Sequence, residues 1–157
     1  MTAVIKDNHL TEDHPDFLYK DGNWNGFGTV IIFQTGAVLH FNMTQKIELQ
    51  DDHSLKISES AKFQESEETW DTIFQIHFKK DNKFLIELNN ITLGHLKGEG
   101  MITKSDVYWK IYDEEGNTIG KTHFTKLSDG SYLINSAYKL HKMTQLSISG
   151  ILSKTAQ

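Results

Sequence analysis

Eight histidines are the side chains of this sequence best suited to ligating a metal or moving a proton: His9, His14, His40, His53, His77, His95, His123 and His141. Two imidazoles share one face of a strand or helix only at particular spacings, and neither His-x-His nor His-x-x-x-His occurs. The pattern therefore predicts surface histidines and no metal site. His123 stands apart, because the alternation running from Ile119 to Leu127 predicts that it points inward. An inward histidine among apolar neighbours is more often a hydrogen-bonded core residue than a ligand or base. Glu87, Glu99 and His95 supply the types needed for acid–base work at a pocket mouth. No Gly-x-Ser-x-Gly turn is present, and Ser147-x-Ser149-Gly150 falls within a strand pattern rather than at a strand-to-helix elbow. Gly94, Gly98 and Gly100 precede no helix, so nothing marks them as a phosphate loop.

Composition narrows the classes further. All sixteen basic residues are lysine, cysteine is absent and the net charge is -5. Without arginine there is no planar fork for phosphates, carboxylates or guanine edges, so nucleic acid is not an expected partner. Without cysteine there is no disulfide, zinc-thiolate or thiol chemistry. The N-terminal residues lack the apolar run of a signal peptide and no stretch approaches the ~18 apolar residues of a membrane span. The expectation is a cytoplasmic protein of one domain, its 157 residues being enough for a core of its own.

The elements that would position these residues are strands. Residues 1–21 form a polar leader with the single proline, Pro15; Asp13 is placed to cap a short helical turn whose Phe17, Leu18 and Tyr19 would cover a barrel mouth. From Trp24 onward apolar residues recur at every second position. Ala37, Leu39, Phe41, Met43, Ile47 and Leu49 share one face, with Gln45 as the polar exception. Trp70, Thr72, Phe74, Ile76 and Phe78 form the heaviest aromatic face, followed across an Asp81-Asn82 turn by Phe84, Ile86 and Leu88. The glycine-rich run from Leu93 to Ile102 suggests a bulge or bend. Val107, Trp109 and Ile111 then alternate, Asp129-Gly130 marks a tight hairpin, and Tyr132, Ile134, Tyr138 and Leu140 share a face before Leu146, Ile148 and Leu152. Roughly ten strands with short turns and no crossover helix predict an all-β fold, a single antiparallel up-and-down barrel over residues 22–157, with a two-sheet sandwich as the alternative.

Gly22-x-Trp24 on the first strand, after a short apolar turn, resembles the opening motif of lipocalins and their calycin relatives. The extended form Gly22-x-Trp24-x-Gly26-x-Gly28, following His14-Pro15 and Phe17-Leu18, is similar to the start of nitrobindin-like barrels. The first resemblance implies a ligand-binding barrel. The second implies haem held by a histidine near the last strand, for which His141 is the nearest candidate.

A barrel of this size either fills its interior or leaves room for a small ligand. The expected lining is Trp24, Phe41, Met43, Trp70, Phe74, Ile76, Phe78 and Trp109, with His123, Tyr132 and Tyr138 as polar points, a composition suited to a small hydrophobic or amphipathic molecule. On this reading there is no catalysis and no required cofactor. Haem at a pocket histidine, a barrel enzyme, and a filled barrel serving protein association are the alternatives. Self-association stays open.

Overall fold

The structure, a computed structural model, describes residues 16–18, 20–51, 53–140 and 144–155. Asp13, Pro15, Tyr19 and His141 lie outside the described residues. Ten strands follow one another: β1 (Gly22–Ile32), β2 (Ala37–Asp51), β3 (Ser54–Phe63), β4 (Thr69–Phe78), β5 (Lys83–Asn90), β6 (Gly94–Ile102), β7 (Asp106–Tyr112), β8 (Thr118–Lys126), β9 (Tyr132–Leu140) and β10 (Thr144–Lys154). Each pairs antiparallel with its sequence neighbour, and β1 pairs with β10 to close the barrel. Among the described strands no edge is left to template another chain. Among the described residues no helix is long and apolar enough to cross a membrane.

The turns follow their sequence chemistry. Asp81 and Asn82 both take positive φ, 62° and 61°, as a tight hairpin requires, and Gly130 does so at 89° after Asp129. The β1–β10 seam closes where Gly28 faces Gly150, and a Cβ on either would collide with the opposite backbone. The glycine-rich segment differs from expectation. β6 is regular, with no register shift against either neighbour, and Gly100 is small because the ring of Phe84 lies over it. The irregularities fall instead between Leu49 and Asp51 on β2 and between Ile111 and Tyr112 on β7.

One end of the barrel is sealed from outside the sheet. Asp16–Leu18 forms a single 3-10 turn, and Phe17 and Leu18 are both completely buried. Phe17 packs against Trp24 (ring centroids 5.5 Å), Tyr132 (5.5 Å) and Phe124 (4.7 Å). Burying two such side chains contributes roughly 1.5–3 kcal/mol each before ordering costs. Below this plug Ile47, Leu55, Ile57, Ile76, Phe84, Ile86 and Val107 fill the interior with almost no accessible surface.

Candidate functional site

The other end is hollow. Inward side chains there, among them Ile32, Leu39, Ala61, Trp70, Tyr138 and Ile148, keep part of their surface accessible although they face the barrel axis. They surround a cavity of about 290 Å³, at the lower edge of the ~300–1,000 Å³ usual for small-molecule pockets. Phe41, Phe63, Trp70, Phe74, Trp109 and Tyr138 give it an aromatic wall, and Glu68 and Thr144 mark its mouth. Phe124 is the partition between the two halves: one side meets Phe17 of the plug, the other meets Trp109 at 5.3 Å and the cavity.

A small polar cluster is set into this wall. Glu59 continues the inward series Leu55, Ile57, Glu59, Ala61, Phe63 of β3, so the pleat alone carries its carboxylate into the barrel. Gln45, on the facing β2 position, donates from Nε2 to Glu59 Oε1 at 2.6 Å. Burial pushes the Glu59 carboxyl above its ordinary range, with the Gln45 hydrogen bond acting in the opposite sense. Across the cavity the Tyr138 hydroxyl and Thr122 Oγ1 are hydrogen-bonded at 2.8 Å, and Ser136 Oγ donates to Thr122 Oγ1 at 3.1 Å. Burial likewise raises the Tyr138 hydroxyl, and the Glu59 charge adds to the rise. The indole N–H of Trp109 lies near the Tyr138 hydroxyl and opposes the rise, and among the described residues neither that N–H nor the buried Gln45 Oε1 has a hydrogen-bond partner. Gly120 makes the arrangement possible, because it pairs with Tyr138 and the tyrosine ring lies over the space a Cβ would occupy.

Of the expected lining, Phe41, Met43, Trp70, Phe74, Trp109 and Tyr138 come together around the cavity. Trp24, Ile76, Phe78 and Tyr132 do not line it. They belong to the sealed half, where Trp24 and Tyr132 pack on one another at 5.5 Å as part of the plug. His123 corrects the sequence reading outright. Ile111 pairs with Gly120 but Tyr112 pairs with Thr118, so Ile119 is the extra residue of a bulge and the parity of β8 reverses there. Gly120, Thr122 and Phe124 consequently face in, and His123 faces out, bonded through Nε2 to Asp106 Oδ1 at 2.8 Å. Glu87 and His95 do meet, at 3.7 Å, but on the exposed outer face of β5 and β6, while Glu99 accepts a hydrogen bond from the Tyr112 hydroxyl at 2.7 Å. Among the described residues no histidine lines the cavity and no group of three or more His, Asp or Glu side chains is placed to hold a metal. His9, His14 and His141 lie outside the described residues.

Glu59 was the functional group that hydrophobic alternation passed over. Its signal was present, since it shares parity with Leu55, Ile57 and Phe63, and Gln45 is the polar exception at the paired position of β2.

Neither a protein-family model nor a curated protein matches this chain. Solved structures do. The S-type phycobiliprotein lyase CPES from Guillardia theta superposes with a TM-score of 0.65 at 9% identity, covering 87% of this chain and 88% of its own. Rv2717c from M. tuberculosis superposes with a TM-score of 0.66 at 7% identity, covering 86% and 92%. The shared fold is the closed antiparallel barrel. At those identities the likeness concerns the barrel and not its contents.

Proposed function

We propose that this protein is a small-molecule carrier or sensor that holds an amphipathic ligand in the open half of its barrel. The carrying observation is the cavity itself: an aromatic wall that carries Glu59 on one side and Tyr138, Thr122 and Ser136 on the other. That combination of apolar area and a few convergent polar groups is how small-molecule sites achieve both affinity and orientation. A barrel meant only as a packed scaffold gains nothing from a carboxylate in its interior, which costs free energy when buried without a counter-charge. The calycin-like scaffold supports the reading, and one barrel of that shape is named as a phycobiliprotein lyase. No catalytic step is proposed.

The test compares native and denaturing masses of protein purified without added ligand, followed by displacement of an apolar fluorescent probe. A non-covalent mass that disappears on denaturation, and probe binding weakened by Trp70→Ala and Phe74→Ala, is expected. Identical masses together with a probe indifferent to both substitutions would refute the carrier reading. Addition of haem discriminates the cofactor alternative, because a Soret shift lost in His141→Ala would assign the cavity to haem.

A further inference from the structure

The charges around the cavity are of one sign. Glu59 lies deep in the wall and Glu68 at the mouth, and among the described residues no lysine or histidine lines the cavity. Lys110, Lys121 and Lys139 lie on the strands flanking Thr122 and Tyr138, yet all three are exposed on the outer face. Among the described residues Glu59 receives one hydrogen bond, from a neutral amide, and the groups facing it across the cavity are the Tyr138 and Thr122 hydroxyls and the Trp109 ring. None of these supplies a counter-charge.

Resting on the carrier reading above, we propose that the ligand is a cationic amphiphile, an ammonium or protonated nitrogen base whose N–H groups pair with Glu59 while its apolar body lies against Phe41, Phe63 and Trp70. The chemistry is complementary in three respects. A ligand cation relieves the desolvated carboxylate, and breaking or making such a buried pair has large consequences. The faces of Trp70, Trp109 and Phe74 attract a positive charge held within about 6 Å of their centroids. A ligand carboxylate, by contrast, would stand beside Glu59 in a chain without arginine and against a described lining without lysine. The cavity thus selects against fatty acids and for amines of similar length. The upward shift of the Glu59 carboxyl is what an unpaired buried acid shows, and a bound cation would reverse it.

Isothermal titration calorimetry of the full chain with octylammonium, octanol and octanoate at neutral pH tests this. Octylammonium is expected to bind at least about 10-fold more tightly than octanol, the worth of one charge-assisted hydrogen bond, and octanoate more weakly than both. Glu59→Gln should abolish the preference for the cation over the alcohol, Glu59→Asp should keep its sign, and Glu48→Gln, an outward carboxylate on β2, should leave it intact. Thermal unfolding of each variant confirms that it is folded. Equal binding of octanol and octylammonium, or a preference that survives Glu59→Gln, overturns the cationic assignment while leaving the carrier reading in place. Absence of binding by all three probes overturns both.

Discussion

The two halves of the barrel are built from the same ten strands by the same alternation, yet one is solid and the other hollow. The solid half receives two residues from outside the sheet, Phe17 and Leu18, which close it against Trp24, Tyr132 and Phe124. The hollow half receives no described plug, and its inward positions include Ala61, Thr122, Ser136 and Glu59, which are small or polar where the solid half has Ile57, Ile76, Phe84 and Ile86. A closed sheet therefore does not decide whether its interior is filled. Side-chain volume and a short segment off the sheet decide it.

The contrast is broken most severely at the plug. Trp24→Ala or Phe17→Ala removes a fully packed aromatic and should cost about 3–5 kcal/mol in chemical denaturation, whereas Trp70→Ala, at the half-buried rim, should cost about 1 kcal/mol. Similar losses at the two sites would mean that the open half is packed as tightly as the sealed one.

The architecture is legible because period-two alternation is a local signal, and most strands carry it, the glycine-rich β6 and the bulged β8 being the exceptions. The division into halves was not legible, since it depends on how far along the barrel axis each inward residue sits, and alternation fixes the face but not the height. Alternation therefore groups Trp24 and Tyr132 with the cavity lining, whereas both pack in the plug. His123 was misplaced by a different mechanism: a single extra residue, Ile119, inverts every later side chain of β8. Glu59 was passed over because reading apolar residues alone skips a carboxylate that keeps their parity.

Smaller substitutions sharpen the comparison inside the hollow half. Gly120→Ala drives a methyl group into the space held by the Tyr138 ring and should cost about 1–3 kcal/mol, the usual range for overpacking, while weakening probe binding by displacing the tyrosine from Thr122. Crystallography of the variant with Tyr138 unmoved would count against that role for glycine. Glu59→Gln should act in the opposite direction on stability. A carboxyl raised in the folded state binds its proton more tightly folded than unfolded, so its stabilising effect is complete below the unfolded value and is lost as the pH rises through the folded one. In ligand-free protein the substitution should accordingly raise the melting temperature at neutral pH and lose that advantage in acid. A gain independent of pH would mean that the Glu59 carboxyl titrates alike in the folded and unfolded protein and is not desolvated by the barrel.

The smallest effect belongs to the outer wall, where His123 and Asp106 test the bulge. Burial pulls the Asp106 carboxyl upward, but hydrogen bonds from His123, Ser105 and Thr125 outweigh it and hold the carboxyl below its ordinary range. The sign is then the reverse of Glu59: the contribution is present above the unfolded value and disappears as the pH falls through the folded one. A double-mutant cycle with His123→Ala and Asp106→Asn should give a coupling of about 0.2–1 kcal/mol at neutral pH, as exposed pairs do, shrinking in acid as Asp106 takes up its proton. Neither substitution should alter binding of an apolar probe, because both side chains lie across the sheet from the cavity. A probe affinity that falls in His123→Ala would restore the uninterrupted alternation from Ile119 and return the histidine to the interior. It would also move Thr122 and Phe124 outward, and with them the partition that separates the hollow half from the plug.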